Sequence, residues 1–290
     1  MDKIPFINNS KEIFKETFYN NFSEGNSIKI NDHNDIRIMT YNVFMWNNIH
    51  KENFEQQSNF IKNINPDILL LQEALWENEN DEKLQYFKKI GYNYNILIKN
   101  NILDNKNYGL LLFSKFPIKS KKIIDITLDN MNENFSCIYA NILDLHLFGT
   151  HLDVWDNTDS TRIKQLEKIF LEINKINNDN IVLMGDLNLI YKNQLTNEKW
   201  NYICEHDKLR NIKSYSEAIY VILKNNFLDS FDFFNIAPPP LTCCFDRRID
   251  YIFLKNNFKH QIKDTFVVYN NFSDHLPVLI DINLNNNSLL

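Results

Sequence analysis

The stretch that most constrains this chain is residues 181–188, Ile-Val-Leu-Met-Gly-Asp-Leu-Asn. Four apolar residues in a row form a short buried strand, and Gly185 is expected to let the backbone approach a ligand where the chain turns polar. Asp186 and Asn188 follow. Residues two apart in extended chain point to one side, so a carboxylate and a carboxamide leave the strand together and can face one phosphate or one metal ion. A strand running into an Asx-rich turn would account for the same residues taken alone. Repetition changes the balance, because several other apolar runs in the chain also end in Asn, Glu, Asp or His.

Residues 36–43 alternate as a strand should, with Ile36, Ile38, Thr40 and Asn42 on one face. Residues 54–64 have helical spacing and stop at Asn65-Pro66, where the residue before proline is pushed out of the helical region. Residues 67–73 are apolar on both faces through their middle, as in a strand covered on both sides, and Glu73 is expected to end it. Residues 84–90 read as a short helix closed by Gly91, and residues 108–114 as a buried strand. Residues 139–143 and 145–150 pair as a hairpin whose second arm ends at His151. A helix over 159–176, with Ile163, Leu166, Ile169, Phe170 and Ile173 on one stripe, delivers the chain into residues 181–188. Residues 191–235 mix helices with polar loops. Residues 248–254 form a strand that embeds Asp250 in apolar surroundings, a costly place for an unpaired carboxylate. Ser273-Asp274-His275 then precedes a last strand at 278–282. No internal repeat is visible in the sequence.

These elements predict one domain over residues 36–284, an N-terminal extension over 1–35 and a frayed tail at 285–290. Phe14, Phe18 and Phe22 recur at four-residue spacing in the extension and suggest an amphipathic helix packed on the domain. The net charge of -6 argues against a generally basic nucleic-acid-binding surface, so any such contact must be local. Cys137, Cys204 and the adjacent Cys243 and Cys244 show no CxxC spacing, which points to a reducing compartment and away from structural zinc. The N-terminus has no secretion signal and no apolar run is long enough to span a bilayer, so an intracellular, soluble monomer is expected.

Thr-Tyr-Asn at 40–42, Leu-Gln-Glu at 71–73, Gly-Thr-His at 149–151, Gly-Asp-Leu-Asn at 185–188, Arg-Ile-Asp-Tyr at 248–251 and Ser-Asp-His at 273–275 stand in order at strand ends. In that order they resemble the endonuclease/exonuclease/phosphatase (DNase I-like) superfamily of metal-dependent phosphodiesterases. The resemblance implies a four-layer α/β (α+β) sandwich, two mixed β-sheets face to face with helices outside. Periodicity alone supports only α plus β with many buried strands.

Cleavage of a phosphodiester requires neutralised charge, a deprotonated water in line and help for the departing oxygen. Magnesium, or manganese in its place, suits hard oxygen ligands, and Glu73 is the principal candidate. The resemblance adds Asn42 and Asp274 around the metal, with Asn42 alternatively on phosphate, and assigns Asp186 and Asn188 to the water and the phosphoryl oxygen. It makes His275 either a base or a transition-state donor oriented by Asp250, and His151 a second histidine on the phosphate. His33, His50, His146, His206 and His260 lack such context. Asp153 and Asp156 flank Trp155 in a loop, Arg247 or Arg248 either reaches a phosphate or pairs with a local acid, and Trp46, Trp76 and Trp155 either pack or line the rim.

For the substrate, DNA-processing relatives usually carry an acidic residue two positions after the first Asn, where this chain has Phe44. The run at 42–45 is more similar to sphingomyelinase-type members, which leaves a lipid phosphodiesterase as the alternative. A catalytically silent binding module on the same fold is the third reading, although no motif residue is lost. Nuclease or DNA-end-processing activity, with nucleic acid preferred to phospholipid, is the reading we carry forward.

Overall fold

The computed structural model describes residues 35–47, 53–129, 131–155, 158–209, 213–244, 246–258 and 260–284. The expected helix with Phe14, Phe18 and Phe22, together with His33, His50, Asp156 and the 285–290 tail, lies outside the described residues. The strands are β1 (Asp35–Asn42), β2 (Ile68–Trp76), β3 (Tyr94–Leu103), β4 (Lys106–Ser114), β5 (Ile118–Asp125), β6 (Ser136–Ile142), β7 (Leu145–His151), β8 (Ile181–Asp186), β9 (Phe227–Asp229), β10 (Asp250–Lys255), β11 (Gln261–Val267) and β12 (Val278–Asn283). The helices are α1 (Phe54–Ile64), α2 (Glu82–Lys89), α3 (Ser160–Ile173), α4 (Asn197–Leu209) and α5 (Ile219–Lys224).

Two six-stranded sheets result, in the orders β11-β12-β1-β2-β4-β3 and β5-β6-β7-β8-β10-β9. Both follow one plan. A parallel pair, β1 with β2 or β7 with β8, sits at the centre, and every other neighbouring pair is antiparallel. Parallel strands need a crossover, which α1 supplies in the first sheet and α3 in the second. The chain therefore repeats a topology that its sequence does not repeat.

Side-chain alternation divides the core into three layers of contact. Ile36, Ile38, Ile68 and Leu70 of the first sheet meet Leu147, Val182, Met184 and Ile252 of the second between the sheets. On its outer face the first sheet turns Met39, Leu69 and Leu71 to Ile61 and Ile64 of α1 and Phe87 of α2. The second sheet buries Phe148, Leu183 and Phe253 under Leu166, Ile169 and Phe170 of α3 and Ile222 of α5. Each such side chain stabilises the fold by about 1.5–3 kcal/mol relative to exposure, which holds helices on both outer faces. This is the four-layer arrangement that the motifs imply.

Two glycines allow close approaches, one between the sheets and one between neighbouring strands. A Cβ on Gly149 would lie 2.7 Å from Leu70 Cδ1, across the gap between the sheets. Gly185 has φ +143°, and a Cβ there would lie 1.9 Å from the Thr150 carbonyl oxygen. Its close approach is thus to the backbone of β7, which corrects the expectation that it approaches a ligand.

Two strand ends also differ from expectation. Glu73 does not terminate β2, which continues to Trp76 through an irregularity between Leu71 and Ala74. Glu73 takes φ 54° inside this bulge, and a bulge bends the strand and re-aims a side chain. β8 stops at Asp186, and Asn188 follows at φ 48°. The two do not leave on a common strand face. Instead the Asn188 backbone N–H donates to Asp186 Oδ1 at 3.1 Å, an Asx turn that folds the chain back on its own carboxylate.

Candidate active site

The carboxyl ends of the two central parallel pairs meet. β1 brings Asn42 and β2 brings Glu73 from one sheet, while β7 brings His151 and β8 brings Asp186 from the other. His151 is register partner to Asp186, and Asp250, first residue of β10, is its partner on the other side. The segment before β12 adds Asp274 and His275. Glu73, His151, Asp186, Asn188, Asp274 and His275 line one cavity of about 250 Å³, with Asn42 and Asp250 buried behind them.

Asn42 ties the sheets together. Its Nδ2 donates to Glu73 Oε1 and to Asp186 Oδ2, both at 3.0 Å, while its Oδ1 accepts from the Phe44 backbone N–H at 3.0 Å. Its nitrogen faces the carboxylates. Ser273 Oγ donates to the Asn42 carbonyl at 2.8 Å, and the His275 N–H donates back to Ser273 Oγ at 3.2 Å. Asn188 Nδ2 donates to the Leu152 carbonyl at 3.0 Å.

His275 Nδ1 lies 2.9 Å from Asp250 Oδ2, and its Nε2 faces Asp186 Oδ2 at 3.8 Å. An acceptor on Nδ1 places a proton there and fixes the ring orientation. The Thr242 hydroxyl oxygen accepts from the Ile249 and Asp250 N–H groups at 3.0 and 3.1 Å, which anchors the turn entering β10. His151 Nε2 lies 3.6 Å from Asp186 Oδ2 and 4.0 Å from Glu73 Oε1.

Charge is crowded here. Burial raises the Glu73 carboxyl above its ordinary range against the opposing pull of His151. Burial and then Asp250 push Asp186 up to about 7, and burial likewise raises Asp274. Burial lowers His151. Burial would also lower His275, but Asp250, Asp186 and Asp274 outweigh it and hold the ring well above its ordinary value. Among the described residues no lysine or arginine pairs with Glu73, Asp186 or Asp274. Glu73, His151 and Asp186 have donor atoms within 4.8 Å of one another and could hold a metal ion, as could Asp186, Asp250 and His275. Asp274 lines the same cavity but belongs to neither set.

All eight expected residues thus converge. The neighbouring candidates resolve differently. Arg247 pairs with Asp207 and Arg248 with Asp229, so each arginine holds an acid distant in the sequence. Trp46 and Trp76 are buried, while Trp155 is 69% exposed beside Val154 at the rim. His146 packs on Tyr139 and His206 on Tyr202. Phe44 lines the cavity, as do Asp159 and Arg162, a buried i,i+3 pair at the start of α3 that spacing could have suggested. No helix among the described residues is long and apolar enough to cross a membrane.

Residues 39–275 match the Endonuclease/Exonuclease/phosphatase family. The fold is similar to that of an AP endonuclease from Archaeoglobus fulgidus, at 19% identity, a TM-score of 0.65 and coverage of 86% of this chain and 100% of that one. It is similar to a 3′ phosphatase from Neisseria bound to product DNA hairpin, at 17% identity, a TM-score of 0.65 and coverage of 86% and 100%. The 2′,3′-cyclic phosphatase ANGEL2 matches at 16% identity, a TM-score of 0.62 and coverage of 86% and 95%. No curated protein matches the sequence. A match over most of the chain, on a sandwich whose two sheets bring their acidic strand ends to one cavity, makes the protein a member of the Endonuclease/Exonuclease/phosphatase family of phosphoester hydrolases, a family that is generally metal-dependent.

Proposed function

We propose that the protein is a magnesium-dependent nuclease or DNA-end-processing phosphoesterase, with manganese able to replace magnesium. The observation that carries this reading is the set of raised carboxylates, buried Asp186 and half-buried Glu73 and Asp274, with no lysine or arginine paired to them among the described residues. Uncompensated buried carboxylates are costly, and a hard dication with oxygen preference fits such donors better than a thiophilic one. Glu73, with Asp274 beside it in the cavity, would hold the ion, which supplies charge neutralisation at the phosphate and acidifies bound water.

The chain's own residues divide the remaining work. Asn42, donating to both Glu73 and Asp186, holds the two carboxylates at a fixed separation. Asp186 is tuned near neutrality, the range in which a carboxylate is an effective general base, so it takes the proton from the attacking water. His275, kept protonated by Asp250 and its neighbours, donates from Nε2 to a phosphoryl oxygen as charge builds there, which favours the donor role over the base. His151 and Asn188 complete the phosphate side.

Similarity to proteins described as acting at abasic sites or bound to DNA supports a nucleic-acid substrate, and the acidic chain favours an end, a lesion or a single strand over plain duplex. The test is a panel of abasic-site DNA, 3′-phosphate and 5′-phosphotyrosyl DNA ends, RNA, inositol phosphates and sphingomyelin micelles, each with magnesium. Turnover of a nucleic acid above sphingomyelin is expected. Turnover of sphingomyelin with every nucleic acid inert would overturn the substrate assignment.

A further inference from the structure

The cavity is lined by a second group of residues that the chemistry above does not use. They are Lys213, Ser214, Tyr215 and Arg247, distinct from the cluster of Glu73 and Asp186 in sequence and in charge. Asp207, at the end of α4, organises this wall. Its Oδ1 takes the Arg247 guanidinium, and its Oδ2 accepts from Ser214 Oγ at 2.5 Å. Both carboxylate oxygens are occupied. Arg247 nevertheless keeps 16% of its side chain exposed and lines the cavity. Lys213 Nζ sits 4.9 Å from the Tyr215 ring centre, and its exposed ammonium pairs with no carboxylate among the described residues.

The loop bearing Lys213 to Tyr215 is fastened at its far end. Asp159 Oδ2 accepts from the Glu217 and Ala218 N–H groups at 2.9 and 3.1 Å, and its Oδ1 binds Arg162, itself a cavity residue. Counting Arg162, Lys213 and Arg247 against Asp159 and Asp207 leaves this group one positive charge in excess, while Glu73, Asp186 and Asp274 line the same cavity. A single substrate that touches both groups would meet carboxylates and cations.

We infer that Arg247, Lys213 and Ser214 form a subsite for a second phosphate of the substrate, separate from the phosphate that is cleaved. This rests on the phosphoesterase reading and narrows it to substrates bearing two phosphates, as neighbouring nucleotides of a strand do. A phosphate there would meet the Arg247 guanidinium and the Lys213 ammonium, and the Ser214 hydroxyl orients Asp207 and through it the guanidinium. Guanidinium and ammonium groups both recognise phosphate, the first with a fixed fork and the second as a point charge.

The experiment compares a dinucleoside monophosphate with the same dinucleotide carrying a further phosphate at its 5′ end or at its 3′ end. In the unaltered protein the further phosphate at one of the two ends is expected to raise kcat/KM about tenfold, the scale of one charge-assisted contact, chiefly through KM. Lys213→Glu should bring that ratio close to one. Arg247→Lys, which keeps a cation for Asp207 but loses the planar fork, should lower it several-fold without a change in Tm large enough to signal unfolding. In parallel, equilibrium binding of a nucleoside 3′,5′-bisphosphate and of the matching monophosphates is measured, with the bisphosphate expected to lose its advantage in Lys213→Glu. No preference for the further phosphate in the unaltered protein, or a preference that both variants retain, would overturn the subsite. If no ester is hydrolysed, the function proposed above fails, and the binding comparison still decides the subsite by itself.

Discussion

The two sheets share one order of pairings, yet their central strands end in different ways. In the first sheet β2 runs past Glu73 through a bulge, which leaves that carboxylate partly accessible at the cavity, with 19% of its side chain exposed. In the second, β8 stops at Asp186, whose side chain is 2% exposed and boxed by Asn42, Asn188, His151 and His275. The same architecture therefore supplies one carboxylate open enough to hold an ion with its waters and one enclosed enough to be tuned by its neighbours. Topology brings both acids to one place; the local strand ending decides what each can do.

Replacing the enclosed group should have the largest effect. Asp186→Asn is expected to lower kcat by two or more powers of ten at saturating magnesium, within the range that loss of a general base produces. His275→Ala and Asp250→Asn should each cost a similar factor, and the double variant little more than the worse single, because groups acting as a unit are non-additive. Additive losses measured in steady-state kinetics would show that the two act separately. Thermal melts on each variant separate these effects from unfolding of the buried pair.

The open carboxylate should respond differently. Glu73→Gln keeps the shape and removes the charge, so the magnesium concentration for half-activation should rise about tenfold or more, with part of kcat recovered when magnesium is raised. An unchanged magnesium titration would remove Glu73 from the ion site.

The pH dependence sharpens the contrast further. With Asp186 raised to about 7, the ion-free fold gains from holding that proton below the ordinary carboxylate range and loses the gain as pH rises through about 7. A dication replaces protons on the raised carboxylates, so the rise in Tm on adding magnesium should be larger at pH 8 than at pH 5.5. Melts at the two pH values check this, and an equal or reversed rise would contradict it.

The smallest effects come from two glycines at close approaches, Gly185 to the neighbouring strand β7 and Gly149 to the facing sheet. Gly185→Ala meets a backbone carbonyl that cannot move aside and should cost about 3 kcal/mol. Gly149→Ala meets only the tip of Leu70, which can shift rotamer, and should cost about 1–2 kcal/mol. Denaturant titration of both variants measures the difference, and equal costs would mean that the two approaches are of one kind.

How far this was legible from the sequence follows the same physics. An apolar run followed by Asn, Glu, Asp or His announced Asn42, Glu73, His151 and Asp186, while Asn188, Asp250, Asp274 and His275 were marked by the resemblance of the ordered motifs. What escaped was governed by partners far away in the chain. β5 and β11 lie at sheet edges with lysines and other polar residues facing out, and β3 breaks its alternation at a bulge between Lys99 and Asn101, so none shows a clean period. The bulge at Glu73 is set by pairing with β4, and Gly185 by the neighbouring carbonyl of Thr150, neither of which a local pattern contains. The links from Arg247 to Asp207 and from Asp159 to the 217–218 backbone are long-range for the same reason.

The most direct test is a set of magnesium activation curves for the unaltered protein, Glu73→Gln and Asp186→Asn on the best nucleic-acid substrate of the panel, after exhaustive chelation. The account predicts no activity before magnesium is restored, a curve displaced to higher magnesium for Glu73→Gln and a low plateau without displacement for Asp186→Asn. Full activity after chelation, or curves that coincide for all three proteins, would contradict it.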